Sequence, residues 1–395
     1  MATQTHPPTE TATAPEVQRS GILVRVVLAF GLIAVLSALV GVVLSGASYE
    51  PAPGGLPDAG PVVGWLLPVV GALTFAAAMA TVGWLLLAGF LDPTAGKTTV
   101  SRRGRTALLR ASAAAGVWCV LSLVAAVFKL ASILGIDLGT AVGSSTFTTY
   151  AWDIIDVRTL LICALLAAVI CVGAAISVSL TGTTVWFVMA VVAVAVPAMA
   201  GHAAGLGDHG LALVNGVAHA VAATVWVGGL IALGATVWPK AETVGIAARR
   251  FGLLAMACVV VLVASGIANA YVRLGSPADL VTSGYGRLVL AKSALLIALV
   301  AIAAWIRKRL LPQLTGDKSR RTFAKLAGLE LALMGIASGL GVALSVTAPT
   351  RAAVEFPTQA EALLGFAFPP APSASSLILG WDFDALFFVL GIAAC

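Results

Sequence analysis

Three of the four histidines of the chain lie in one short stretch, residues 201–229. His202 and His209 bracket a glycine-rich loop, and His219 follows inside an apolar run. Met199 precedes His202 by three residues, a spacing that places both side chains on one face of a helix end. Because methionine sulfur prefers copper(I) and imidazole accepts either oxidation state, we predict that these four side chains bind copper. The alternative is that the two loop histidines are only solvated polar residues.

The elements that carry these side chains are membrane helices. The chain has 395 residues, of which 60% are hydrophobic and 10% are charged, and its mean hydropathy is +1.03. A helix needs roughly 20 apolar residues to cross a bilayer. We therefore predict an all-α fold, a polytopic membrane helix bundle of about nine complete transmembrane helices with a truncated tenth from Ser376. The predicted spans lie near residues 21–45, 61–91, 106–134, 157–180, 184–201, 211–238, 250–271, 287–306 and 324–348.

The net charge of +6 comes from basic residues that collect in alternate loops. By the positive-inside rule these loops are cytoplasmic, so we expect the amino terminus to lie inside. The other loops are poor in Lys and Arg and are expected to face outward. Because these charges report membrane orientation, we do not interpret them as a nucleic-acid-binding surface. The lipid bilayer is the expected partner. The basic loop residues are Arg19, Arg25, Lys97, Arg102, Arg103, Arg105, Lys240, Arg249, Arg250, Arg307, Lys308, Arg309, Lys318, Arg320 and Arg321.

The second to fourth predicted helices resemble the sixth to eighth. The segment from Ala76 is similar to the segment from Ala220, and the parts that follow correspond in the order and spacing of their features. Because the copies are offset by four helices, they keep the same orientation. This pattern predicts parallel four-helix repeats, with a site near the bilayer midplane where the repeats meet. The second copy has His219 where the first has Ala76.

His219 is predicted to lie near the middle of the bilayer, whereas His202, His209 and Met199 lie at its outer edge. It is about nine residues into the sixth span, roughly 14 Å along the helix axis. A polar side chain at this depth is costly and therefore indicates function, or else a hydrogen bond that bridges helices. The face that His219 shares consists of Ala212, Asn215, Gly216, Ala223 and Trp226. Asn215 is the residue through which a bridging hydrogen bond would run.

Four of the five cysteines lie inside predicted helices, so a disulfide framework is not expected. Thiolates bind copper(I), but a cysteine in a helix is typically a small apolar filler, and we interpret these four as fillers. They are Cys119, Cys163, Cys171 and Cys258.

Four ordered motifs occupy much of the chain between residues 210 and 349. They are HAVAATVWVGGLIALGA, RRFGLLAMACVVVLVASGIANAYVRL, TSGYGRLVLAKSALLIALVAIAAWIRKRL and LELALMGIASGLGVALSVTAPT. Together they resemble the copper resistance D (CopD) family of bacterial inner-membrane proteins, whereas residues 1–200 are similar only in general pattern. The resemblance implies functional roles for His219, Trp226, Tyr285, Arg287, Lys292 and Glu330.

The last segment, SLILGWDFDALFFVLGIAAC, resembles the beginning of a cytochrome c oxidase assembly (CtaG-type) domain. The chain is thus similar to the amino-terminal part of the actinobacterial fusions of these two families. The predicted regions are a disordered cytoplasmic tail at 1–20, an amino-terminal helical membrane region at 21–200, a copper resistance D-like membrane domain at 201–349, an outward loop at 350–375 and the truncated helix at 376–395.

The resemblance implies copper handling at the bacterial cytoplasmic membrane. We expect uptake or translocation of copper from the outer face, which supports copper homeostasis and resistance and the metallation of cytochrome oxidase. A periplasmic copper-binding protein and oxidase subunits or assembly factors are the expected protein partners. Two alternatives remain: a redox protein that binds haem b through His219 and a second imidazole, and a non-catalytic oxidase assembly partner. The sequence has no nucleophile elbow, phosphate-binding loop or HExxH, so an enzyme is not expected.

Two charged residues implied by the resemblance lie inside predicted spans. Lys292 is about five residues into the eighth span, close enough to the interface for its side chain to snorkel. Glu330 is about one and a half to two turns into the ninth span, and a charge at the bilayer centre costs roughly 2.5 to 3.5 kcal/mol. We therefore expect Glu330 to be protonated or partnered, and interpret it as a proton or metal relay. The two residues start from opposite faces, so a direct pair would need helix tilt or a bridging water.

Overall fold

The computed structural model describes residues 14–52, 56–92, 98–200, 209–234, 241–310 and 317–350, and these residues are mostly helical. Two π-helical turns, Leu87–Leu91 and Ile306–Leu310, continue α2 and α11. The α-helices are α1 (Ala14–Ser45), α2 (Gly60–Leu86), α3 (Arg102–Leu134), α4 (Leu138–Val142), α5 (Ser144–Tyr150), α6 (Ile155–Ile176), α7 (Leu180–Ala198), α8 (His209–Gly234), α9 (Ala241–Arg273), α10 (Asp279–Thr282), α11 (Gly284–Trp305) and α12 (Asp317–Val346).

Nine helices of the described part of the chain are long and apolar enough to cross a membrane, namely α1, α2, α3, α6, α7, α8, α9, α11 and α12. They correspond to the nine predicted spans, so the all-α polytopic bundle is confirmed. The first helix begins at Ala14, seven residues before the predicted first span. The predicted outward loop beyond residue 350 and the truncated helix from Ser376 lie outside the described residues, as do residues 1–13 of the predicted tail.

Serine side chains cap the starts of three spans, three or four residues before the predicted starts. Ser101, Ser179 and Ser283 each precede a helix and accept a hydrogen bond from the backbone N–H three residues later, at 2.9 to 3.0 Å. Such caps satisfy one of the N–H groups that a helix start leaves unpaired. At the far end of α3, Gly135 adopts a left-handed conformation with φ of 63°, which ends the helix.

The centre of the bundle is formed by α2 and α8. Of their spans 50% and 67% are buried, whereas only 11% of the α11 span is buried. The two backbones touch: a Cβ built on Gly83 would lie 2.0 Å from the Gly228 carbonyl oxygen, and one built on Gly228 would lie 2.2 Å from the Met79 carbonyl oxygen. Close approach through glycine is a common way for membrane helices to gain packing energy without a hydrophobic driving force. This contact fixes the depth of α8, and with it the depth of His219.

A second glycine contact joins the two ends of the chain, because α12 packs along α1. A Cβ on Gly339 would lie 2.2 Å from the Ala34 carbonyl oxygen, and Ala343 lies against Gly41. The Ser37 hydroxyl donates to the Ile336 carbonyl at 2.8 Å across the same interface. The small residues of the last sequence motif therefore have a packing role.

The two helix groups that the sequence relates as a repeat share some features and differ in others, and the repeat stays a prediction. In both, the first helix packs on the second: α2 on α3, and α8 on α9. Thr81 of α2 and Thr224 of α8 are both buried, and each hydroxyl donates to the carbonyl four residues earlier. The third helices differ, since α3 packs closely along α6 whereas α9 makes little contact with α11. The second copy is therefore more open between α9 and α11. His219 faces α9, on this more open side.

Candidate functional site

A hydrogen bond sets the orientation of the His219 ring. His219 is half-buried on α8, and its Nδ1 lies 3.0 Å from the hydroxyl oxygen of Ser265 on α9. The Ser265 hydroxyl donates its own hydrogen to the Val261 carbonyl at 2.6 Å. A hydroxyl has one hydrogen, so the serine accepts from Nδ1–H, and the imidazole lone pair is on Nε2. Neutral imidazole with Nδ1 hydrogen-bonded is the form that binds a metal through Nε2.

The surroundings leave room on the other side of the ring. Within the described residues, Nε2 of His219 has no hydrogen-bond partner. Gly266 faces the ring, and a Cβ at that position would lie 4.0 Å from Cε1. One turn before His219 on the same helix, the Asn215 amide nitrogen is buried and has no hydrogen-bond partner in the described part of the structure. Asn215 therefore has a donor that is free among the described residues, one turn from the His219 ring.

Two cationic side chains act on this site. Lys292 of α11 and Arg273 of α9 are both close enough to His219 to interact with it electrostatically. The Lys292 Nζ would lie 3.2 Å from a Cβ on Gly341 of α12, so the ammonium occupies the space that this glycine leaves. The side chain of Lys292 is therefore directed at α12. Arg273 donates to the amide oxygen of Asn269.

The loop between α9 and α11 is held by a carboxylate. Asp279 lies between α9 and α11, and it accepts hydrogen bonds from the Thr350 hydroxyl at 2.7 Å and from Ser276 Oγ at 3.0 Å. These bonds, that of Thr350 first, hold the pKa of Asp279 below its usual value. Asp279 thus fixes the loop between α9 and α11.

Met199 lies closer to the depth of His219 than the sequence suggested. The short helix α7 ends at Ala198, and its carbonyl oxygen would lie 3.6 Å from a Cβ on Gly216 of α8. Gly216 is three residues before His219 on α8, and Met199 follows the end of α7 in the opposite direction, so Met199 lies about 6 Å further out than His219 at 1.5 Å per residue. Its side chain is 42% exposed.

The remaining histidines cannot be placed. His202 lies outside the described residues, and His209 begins α8 but its side chain is not among those described. These two histidines, with Met199 and His219, are the predicted copper ligands, and their common site stays a prediction. The haem alternative needs a second imidazole, and His219 supplies the only one among the described side chains.

The other residues to which the resemblance assigns functional roles differ in their burial. Trp226 and Tyr285 are buried, whereas Arg287 is exposed. Two glycines follow Trp226 closely: Gly228 contacts α2, and a Cβ on Gly229 would lie 2.2 Å from the Phe251 ring of α9. The WVGG motif is therefore explained by helix packing.

Glu330 is a buried carboxyl far from Lys292. It is 7% exposed, and within the described part of the chain no basic side chain lies within ion-pair distance of it. Lys292 meets α12 at Gly341, which is about 16 Å from Glu330 along the helix axis at 1.5 Å per residue. The two charges therefore do not form a pair.

Sequence analysis missed the polar residues that α9 contributes. Ser265, Asn269 and Arg273 are spaced four residues apart in an otherwise apolar helix, so they form one stripe. A polar stripe of period four in a membrane span is a recognisable signal, because such groups face the protein interior.

Comparison with known families supports part of the predicted resemblance. Residues 245–344 match the family model Copper resistance protein D. The matched segment contains Ser265, Lys292 and Glu330, but it begins after α8, so His219 lies outside it. No curated protein and no solved structure matches the chain. Within the described residues, no group of three or more His, Cys, Asp or Glu is close enough to hold one metal ion.

Proposed function

We propose that this polytopic membrane protein binds copper(I) at His219 and moves it across the bacterial cytoplasmic membrane. The observation that carries the proposal is the hydrogen bond from His219 to Ser265, which leaves Nε2 with a lone pair inside the bundle. The match to a copper resistance family over the helices that face His219 supports copper as the ligand. Met199, His202 and His209 are the proposed outer ligands.

The charges around His219 favour the monovalent ion. Lys292 and Arg273 repel any cation at Nε2, and this repulsion is twice as large for copper(II) as for copper(I). A thioether from Met199 also suits copper(I). The site is thus better matched to copper(I), and copper(II) would require reduction before entry.

Glu330 is proposed to move protons in exchange for the metal ion. A buried carboxyl without a described basic partner is stable in its protonated form and can release the proton when a cation approaches. We propose uptake from the outer face, with a periplasmic copper-binding protein as donor and oxidase subunits or assembly factors as acceptors.

Copper uptake by variants of His219 tests the proposal. We expect His219→Ala and His219→Gln to lose most copper-64 uptake in cells that lack the native gene, at expression levels matched by immunoblot. Gln can bridge helices by hydrogen bonds but is a poor copper ligand, so it separates the two roles. The control is His6→Gln, which changes the one histidine outside residues 201–229, and its copper uptake should be unaffected. Near-normal uptake by His219→Gln would leave the helix-bridging role as the better explanation.

An optical spectrum distinguishes copper from haem. Purified protein with copper(I) at His219 shows no Soret band, whereas a haem b protein does. Measurement of the copper content of the same sample by mass spectrometry completes the comparison.

A further inference from the structure

The interface between α3 and α6 contains three cysteine thiols at regular depths. The Ser112 hydroxyl oxygen lies 3.6 Å from the Cys171 sulfur, and a Cβ on Gly116 would lie 3.4 Å from the same sulfur. Further along the two helices, the Ser122 hydroxyl oxygen lies 3.8 Å from the Cys163 sulfur. Because α3 and α6 run antiparallel, these contacts fix which residues of the two helices share a level.

Cys119 lies midway between the two contacts. It follows Gly116 and precedes Ser122 on α3, so its level on α6 is between Cys163 and Cys171. Its thiol is close enough to both of these cysteines to interact with them electrostatically. Cys163 and Cys171 are about 12 Å apart along the axis at 1.5 Å per residue. The three thiols therefore form a row across a substantial part of a hydrocarbon core about 30 Å thick.

The sulfur of Cys163 accepts a hydrogen bond from a buried hydroxyl. The Ser122 hydroxyl oxygen lies 3.8 Å from it, and the Ser122 side chain is buried. Donors to a sulfur atom stabilise the charge of a thiolate and tune a bound metal. Cys258 of α9 is also buried, but no side chain of the described residues donates a hydrogen bond to its sulfur. The environment of Cys163 thus differs from that of a filler cysteine.

We propose that Cys163, Cys119 and Cys171 form a thiol row that binds copper(I) and passes it along the α3–α6 interface. The proposal rests on the proposed copper function and supplies a route in the half of the bundle that the family match does not cover. Soft thiolate ligands select copper(I). Within the described residues no three such groups are close enough to hold one ion together, so the ion passes from one thiol to the next.

Transfer along the row needs no electron. When copper(I) binds a thiol, a Cu–S bond forms and the thiol proton leaves to water or to a buffer base. When the ion moves on, the Cu–S bond breaks and the thiolate takes up a proton again. Copper stays in the +1 state throughout, so the exchange balances without an oxidant or reductant.

Copper binding by the full chain in detergent, with Cys395 replaced by Ala throughout, tests the thiol row. Copper(I) is titrated against a chromophoric chelator under anaerobic conditions, and X-ray absorption separates Cu–S from Cu–N bonds. We expect the combined Cys119→Ala, Cys163→Ala and Cys171→Ala variant to lose the Cu–S scattering of its thiolates and at least tenfold in affinity. The matched control Cys258→Ala should keep both. Unchanged Cu–S scattering in the triple variant would overturn the proposal.

The same measurement separates this proposal from the proposed function. His219→Gln should lose the part of the Cu–N scattering that His219 supplies and keep the Cu–S scattering of the thiols. If His219→Gln changes nothing while the triple variant loses Cu–S, then His219 is not a ligand and the thiol row stands. The reverse result leaves His219 as the ligand and removes the row.

A second experiment does not depend on the folding of any cysteine variant. The parent protein with native Cys119, Cys163, Cys171 and Cys258 is alkylated with N-ethylmaleimide with and without excess copper(I), and each cysteine is quantified by mass spectrometry. We expect copper(I) to slow the alkylation of Cys119 and Cys171 at least tenfold and to leave Cys258 unchanged. Equal rates with and without copper(I) at Cys119 and Cys171 would contradict the thiol row.

Discussion

The Ser265 hydroxyl determines which nitrogen of His219 is available for a ligand. Ser265→Ala removes the acceptor of Nδ1–H, so the ring loses both its fixed tautomer and its fixed orientation. Loss of such a supporting group typically costs roughly 10 to 100-fold in metal affinity, and we expect a decrease of that size for copper(I) at His219. Competition with a chromophoric chelator measures it. Ser265→Thr keeps the hydroxyl and should bind nearly as the native protein does, and equal affinity of the Ala variant would show that Ser265 has no such role.

Lys292 is expected to oppose copper binding. In Lys292→Met the positive charge near His219 is lost and the side-chain length is kept, so copper(I) affinity at His219 should rise by about tenfold, as removal of one like charge inside a protein predicts. The matched control is Arg103→Gln, which removes an exposed charge from α3 and should leave the affinity unchanged. If Lys292→Met weakens binding instead, then Lys292 holds an anion that accompanies the copper.

Glu330 is expected to be needed for transport and not for insertion. Glu330→Gln keeps the shape of the side chain but can neither carry a charge nor release a proton. We therefore expect copper accumulation to decrease severalfold while the amount of protein in the membrane stays constant. Native copper accumulation in cells with this variant would assign Glu330 a structural role.

The contact between α2 and α8 is where helix packing controls the site. Gly228→Ala places a Cβ 2.2 Å from the Met79 carbonyl oxygen, so the two backbones must separate. Overpacking of this kind costs about 1 to 3 kcal/mol, and a lower thermal unfolding temperature in detergent is the expected result. Gly234→Ala is the matched control, since that glycine of α8 has no atom within 4 Å of a built Cβ. Equal unfolding temperatures for the two variants would show that the contact does not limit stability.

The sequence predicts the helices well and their pairing poorly. A span is recognised from length and hydropathy, which are local properties, and the starts after Ser101, Ser179 and Ser283 follow from local capping. The partner of His219 is different, because Ser265 meets it only through the contact between α8 and α9. The thiol row depends in the same way on how α3 lies against α6, which no single segment encodes.

At the scale of the whole molecule, charge separates the two ends of the bundle. The end where α3 begins carries Arg102, Arg103 and Arg105, and Arg105 donates to the carbonyls of Ala175 and Ser177 at the carboxyl end of α6. The opposite end carries acidic caps, among them Asp137 and Asp58. The Tyr49 hydroxyl first, and then the Gly60 N–H, keep the pKa of Asp58 below its usual value. His219 lies nearer to this opposite end, so copper reaches it from the outside only if the basic end is cytoplasmic.

Labelling of one introduced cysteine at each end determines this orientation. Thr98 lies in an exposed loop at the basic end, and Ala278 is exposed in the loop before α10 at the opposite end. Because positively charged loops are retained in the cytoplasm, a membrane-impermeant maleimide should label Ala278→Cys in intact cells and Thr98→Cys only after permeabilisation. The parent protein, in which Cys395 is replaced by Ala, is the control, since its described cysteines lie within the helices and should react little. Labelling of Thr98→Cys in intact cells would reverse the topology, and the site at His219 would then open towards the cytoplasm and serve export of copper.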